Sequence, residues 1–132
     1  MEELDLSRLI GGSGFIVPIR LANKGFSKAT SSLSDTGAKG YLFINTSRAV
    51  ELAKLFDVAP IRLGTAVRTK GFDGQSGAPI THVIFLDLHI DGRQFSNQPF
   101  LIVNLGQHDA IIGEKWLAEK DVWLDVRHRR LV

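Results

Sequence analysis

The residue best suited to do chemistry in this chain is a carboxylate in a tight turn, within the stretch Leu33-Ser34-Asp35-Thr36-Gly37-Ala38. Asp35 directly follows a run of β type, so a strand would present it at its end. Thr36 puts a hydroxyl beside the carboxylate, and Gly37 lets the backbone come close enough for its N–H to donate to it. As a bare tripeptide Asp-Thr-Gly is usually an ordinary turn, so its meaning depends on the surrounding sequence.

The elements that must position this turn are mostly strands. Runs of β type recur about every 8–12 residues, a spacing typical of a barrel or a sandwich. The clearest run is Ile80–Ile90, in which apolar residues occupy alternate positions. Asp91-Gly92 follows it and predicts a two-residue hairpin turn. Gly71–Gly77 is rich in glycine and predicts the tip of another hairpin.

Two short helices interrupt the strands. Asn45-Thr46-Ser47 offers capping side chains for the first. Its apolar stripe has the spacing i, i+3, i+4, i+7 and consists of Ala49, Leu52, Ala53 and Phe56. The second helix, Glu114–Lys120, is very short and carries Trp116. The sequence therefore predicts a mainly β domain with one short helix and one very short helix.

Composition limits the function classes. The 132 residues are 44% hydrophobic and 23% charged, which is typical of one globular domain. We expect residues 1–14 to be a lead that contains the linker-like Gly11–Gly14, and residues 15–132 to be the domain. The chain has no cysteine, so disulfides, thiolate metal sites and cysteine nucleophiles are excluded. A net charge of +2 is too small to indicate nucleic acid. The sequence lacks a signal peptide and a membrane span, so the default location is the cytoplasm.

Four motifs in a fixed order carry a family resemblance. They are Asp35–Tyr41, Gly71–Gly74, Pro79–His82 and Gly113–Trp116. In this order, from about Phe15 to Val132, the chain resembles the retropepsin family, the aspartic proteases of retroviruses and long-terminal-repeat retrotransposons. It looks most similar to the fungal retroelement members. The resemblance implies an all-β, barrel-like acid-protease fold and a homodimer. It also implies an endopeptidase without metal or cofactor, which processes a retroelement polyprotein in the cytoplasm or within a retroelement particle.

The resemblance also implies a role for each matching residue. Asp35 is the catalytic carboxylate, Thr36 bonds across the dimer axis, and Gly37 brings its backbone against carboxylate and substrate. The expected substrate-binding residues come from the turn, from a hairpin flap and from the strand before Gly113; they are Ala38, Lys39, Gly71, Phe72, Asp73, Gly74 and Ile112. Viral members pair an acid with an arginine where this chain has Lys39 and Glu114, so we expect an ion pair of reversed sign.

The chemistry explains why a homodimer is needed. Peptide hydrolysis by carboxylates requires one ionised group as base and one protonated group as acid. Two carboxyl groups about 3 Å apart share a proton and supply both. Asp-Thr-Gly occurs once, and Asp73-Gly74 and Asp91-Gly92 lack the threonine. We therefore expect two copies of Asp35 to meet across a two-fold axis and to titrate as a pair.

Two other functions stay open. A domesticated or inactive relative would dimerise or bind peptides without cutting, although the intact Asp35-Thr36-Gly37 argues against it. The basic run Arg127–Arg130 could contact nucleic acid, with a steep salt dependence. A charged sheet edge explains that run more simply, and we expect no nucleic-acid partner. The four histidines have no metal-ligand spacing.

Overall fold

The computed structural model describes residues 3–5, 14–35, 41–70, 79–125, 128 and 130–132. In these ranges the chain forms ten strands and two helices. The strands are β1 (Glu3–Asp5), β2 (Gly14–Asn23), β3 (Phe26–Asp35), β4 (Leu42–Asn45), β5 (Ile61–Lys70), β6 (Ile80–Ile90), β7 (Arg93–Val103), β8 (Ala110–Ile112), β9 (Leu124–Asp125) and β10 (Arg130–Leu131). The helices are α1 (Thr46–Phe56) and α2 (Glu114–Glu119). Neither helix is long and apolar enough to cross a membrane.

Six strands close a barrel in the order β6, β2, β3, β8, β4, β7 and back to β6. The pairs β3–β8 and β4–β7 are parallel, and the others in the ring are antiparallel. Strand β7 pairs with β6 from Val83 to Ile90. The opposite edge of β6 is shared, since β5 pairs near its start and β2 near its end. The mainly β, barrel-like prediction is therefore confirmed.

Burial alternates along the second half of β6. Ile84, Leu86, Leu88 and Ile90 are buried, and the residues between them are half-buried. This period of two is what a strand with one face in the core requires. The predicted alternation is confirmed from Ile84 to Ile90, but not at the start of the strand, where Val83 is buried and His82 is half-buried.

The apolar side chains form two clusters. The main core fills the barrel and takes in the inner faces of both helices, including Leu52, Phe56 and Trp116. A smaller group, here called the second cluster, consists of Phe43, Ile80, Val103, Leu105 and Ile111, with Leu33, Leu63, Val67 and Leu101 packed against it. Because β8 contributes Ile111 to one cluster and Ile112 to the other, this three-residue strand links the two.

The start of α1 differs from its prediction. Asn45 is the N-cap residue, but its side chain does not cap the helix. Its side-chain Oδ1 instead accepts the N–H of Leu105 at 2.8 Å, and its Nδ2 donates to Ser47 Oγ at 2.8 Å. Asn45 therefore ties α1 to a distant segment, a partner that the local sequence does not encode.

The inner face of β3 carries hydroxyls in place of aliphatic side chains. Thr30, Ser32 and Ser34 are all buried. Ser32 Oγ donates to the carbonyl of Val17 at 2.8 Å. Thr30 Oγ1 and Ser34 Oγ have no hydrogen-bond partner among the described residues. A buried hydroxyl without a hydrogen-bond partner lowers the stability of the folded state, whereas one with a partner raises it.

This difference predicts opposite effects of two substitutions on one strand. Thr30→Val keeps the shape and removes an unpaired hydroxyl, so we expect the free energy of unfolding to rise by about 1 kcal/mol. Ser32→Ala leaves the Val17 carbonyl without its partner, so we expect a fall of about 1 kcal/mol. Urea unfolding followed by circular dichroism measures both. Equal signs for the two variants would contradict the assignment.

Candidate active site

Asp35 is the last residue of β3. On one side its backbone pairs with Gly14 of β2. On the other side β8 runs parallel to β3, with Ser34 opposite Ile112. Because neighbouring parallel strands end at the same edge, this register puts the backbone of Asp35 beside that of Gly113.

After the turn that follows Asp35, the chain returns to the same edge at Tyr41. The N–H of Gly113 donates to the carbonyl of Tyr41 at 2.6 Å. Helix α2 begins at the next residue, and the N–H of Leu117 donates back to the Gly113 carbonyl at 3.2 Å. Both stems of the turn, Asp35 and Tyr41, are therefore held against the end of β8.

The stems of the predicted flap lie over the second cluster. Strands β5 and β6 are antiparallel, and Val67 pairs with Ile80 close to their connection. Ile80 belongs to the second cluster, and Val67 packs against it. Leu33, two positions before Asp35, packs against the same cluster. One apolar group thus joins the stems of the flap hairpin to the strand that carries Asp35.

Most of the predicted site residues lie outside the described residues. These are Thr36, Gly37, Ala38, Lys39, Gly71, Phe72, Asp73 and Gly74. Asp35 is described through its backbone alone. Their roles, and the expected Lys39–Glu114 ion pair, stay predictions. In the described ranges no three His, Asp or Glu side chains are grouped so that they could hold a metal ion.

Ile112 is described in full. Its side chain is 0% exposed and packs in the main core, while Ile111 is buried in the second cluster. In a single chain Ile112 thus supports the end of β8 from inside. A contact between Ile112 and substrate would require the surrounding core to open. That predicted contact stays a prediction.

Three polar residues at the opposite end of β8 from Gly113 were not singled out as site residues in the sequence analysis. Asn45, Arg48 and Asp109 connect the start of α1 to the chain just before β8. Arg48 and Asp109 are 61 positions apart. No local spacing or motif predicts such a pairing, and only the closed barrel brings them together.

Comparison with known proteins supports the fold. No family model matches the chain, and no curated protein matches it. The crystal structure of the retroviral protease-like domain of Ddi1 from Leishmania major is similar, with a TM-score of 0.58 and 17% sequence identity. The match covers 91% of this chain and 84% of that one. At this identity the likeness concerns the fold alone, so it does not extend to the retrotransposon proteases. The chain has a retropepsin-like fold: a six-stranded β barrel with two short helices.

Proposed function

We propose that this chain is an aspartic endopeptidase that acts as a homodimer, with Asp35 from each copy forming the catalytic pair. One observation carries the proposal. Asp35 ends β3 beside Gly113, and the end of β8 holds both stems of its turn, Asp35 and Tyr41, in a chain with a retropepsin-like fold. A carboxylate at a rigid strand end is held more accurately than one on a free loop.

The pair would work through a shared proton. The ionised Asp35 takes a proton from a water molecule as its oxygen attacks the peptide carbonyl carbon. The protonated Asp35 gives its proton to the carbonyl oxygen, which yields a neutral gem-diol. When the C–N bond breaks, one carboxyl group protonates the leaving nitrogen and the other takes back the hydroxyl proton. The cycle needs neither a covalent intermediate nor a cofactor.

The remaining roles follow the same proposal. Thr36 would bond across the dimer axis, and Gly37 and Ala38 would lie against the substrate. The flap at Gly71–Gly74 would close over an extended peptide and exclude water. The substrate would be a peptide with apolar residues at the scissile bond, and a retroelement polyprotein is the natural source.

The proposal makes activity depend on self-association. We expect wild-type chain to cleave members of a mixed peptide library, with a rate that falls as the square of chain concentration once the dimer dissociates. Sedimentation over the same concentrations should give a matching dissociation curve. A tandem fusion of two copies is the control and should keep its specific activity on dilution.

Two results would contradict the proposal. One is a constant specific activity over a range in which the chain sediments as a monomer. The other is peptide binding without any cleavage from acid to neutral pH, which would favour the inactive peptide-binding module.

A further inference from the structure

The start of α1 holds the segment before β8 through two backbone contacts. The N–H of Asn45 donates to the carbonyl of Asp109 at 2.8 Å, and the N–H of Leu105 donates to Asn45 Oδ1 at 2.8 Å. These contacts lie at the two ends of residues 104–109, here called the wall segment. Leu105 and the residue after Asp109 are buried, so both ends are also anchored by packing.

Arg48 adds a charged contact at the same end. Its Nη2 lies 3.3 Å from Asp109 Oδ2, and its Nη1 lies 2.8 Å from Glu51 Oε1. The Arg48 side chain is only 18% exposed, against 38% for that of Asp109. A partly buried ion pair is screened less by water and salt than an exposed one. Arg48 is thus the cation that holds the Asp109 side chain against α1.

The wall segment forms one side of a groove along β3. The groove has a volume of about 260 Å³. Strands β2 and β3 form its other side, where Ile16 and Leu33 are cross-strand partners and Ser31 and Ser32 also line the groove. Leu33 precedes Asp35 by two positions, which is about 7 Å along a strand. The residues that line it include Ile16, Ser31, Leu33, Gln107, His108 and Asp109.

We propose that Arg48 is a positioning residue: through Asp109 it holds the wall segment so that this groove accepts a side chain of the peptide substrate. This inference rests on the proposed function, because it assigns the groove to the same substrate. Arg48 itself does not line the groove, so its effect must pass through Asp109. The strand that carries Asp35 is held separately by β2 and β8, so the chemical step should depend little on Arg48.

The test compares KM with kcat. Arg48→Met keeps the aliphatic stem but removes the charge, and we expect KM for a cleaved library peptide to rise about tenfold, with kcat within about twofold of wild type. Arg48→Lys keeps the positive charge and leaves the residues that line the groove unchanged, so it should hold KM within about threefold of wild type. Lys28→Met is the matched control. Lys28 pairs with the same Glu51 at 3.7 Å but makes no contact with the wall segment, so its KM should not change.

Hydrogen exchange gives a readout that does not need turnover. The amide of Asn45 donates to Asp109, so Arg48→Met should speed its exchange about tenfold and Lys28→Met should not. An unchanged KM in Arg48→Met, a KM that rises as much in Arg48→Lys, or an unchanged Asn45 exchange rate would overturn the inference.

A second arm separates the inference from the proposed catalysis. Peptides selected by binding to the Asp35→Asn protein serve as probes, and Arg48→Met in that background should raise their dissociation constant about tenfold. If wild type binds these peptides but cuts none, the catalytic proposal fails while the positioning role is still measured. If no peptide binds, or if Arg48→Met leaves the dissociation constant unchanged, the inference fails.

Discussion

Asp35→Asn is expected to lower kcat/KM for peptide hydrolysis by about 1000-fold or more, because an amide can neither accept the proton of water nor donate one to the carbonyl oxygen. In a homodimer the substitution removes both carboxyl groups at once. The strand pairing of Asp35 uses backbone groups, so the variant should fold. Two adjacent carboxyl groups resist ionising together, so replacing both with amides should leave the melting temperature unchanged or slightly higher.

Asp91→Asn provides a matched control for this experiment. It makes the same chemical change in the β6–β7 turn, where Asp91 has a φ of 49° that asparagine also adopts readily. Its kcat/KM should stay within about twofold of wild type. The catalytic assignment is wrong if Asp35→Asn keeps more than a tenth of the wild-type activity, or if the control loses as much.

The features that the sequence predicts well are local. Ile80–Ile90 alternates with a period of two, and its burial follows that pattern from Ile84 onward. The stripe of α1 is also local, and Ala49, Leu52 and Phe56 are buried as its spacing predicts. In both elements one face is buried in the core, and the spacing of the apolar residues in the sequence predicts which face it is.

Closure of the barrel is not local. Strands β3 and β8 pair in parallel although Leu33 and Ile111 lie far apart in sequence. Backbone hydrogen bonds make this pairing, and backbone groups are the same at every residue, so side-chain patterns do not identify the partner strand. Asp35 and Gly113 lie beside each other because β3 and β8 pair in this register. The sequence indicated that proximity only through its resemblance to the retropepsin family.

The hydroxyls of β3 show a second limit. Thr30, Ser32 and Ser34 give this strand a polar sequence, yet all three face the interior. Ser32 bonds the carbonyl of Val17, whereas Thr30 and Ser34 are buried without a hydrogen-bond partner among the described residues. Hydrophobic patterning underestimates the burial of such a strand, because it counts side-chain polarity and not the position that the barrel imposes on each side chain.

Trp116 connects the site to stability. Its side chain is 0% exposed, and its ring meets that of Phe95 edge to face at a centroid distance of 4.9 Å. Its Nε1 donates to Gln98 Oε1 at 3.0 Å. Trp116 lies on α2 three residues after Gly113, so the helix that follows Gly113 is anchored by the largest buried side chain of the described core.

Trp116→Ala should therefore lower the free energy of unfolding by about 3–5 kcal/mol, the usual cost of removing a buried aromatic side chain. For a domain of this size that corresponds to a fall in melting temperature of roughly 10–20 °C. Trp116→Phe keeps most of the packing but leaves Gln98 without its donor, so its cost should be smaller, about 1–2 kcal/mol.

Trp123→Ala is the control: this tryptophan is 68% exposed, and its loss should cost about 0.5 kcal/mol or less. Differential scanning calorimetry measures all three. Similar shifts for Trp116→Ala and Trp123→Ala would mean that α2 is not anchored by Trp116, and the support of the Gly113 edge would then have to come from β8 alone.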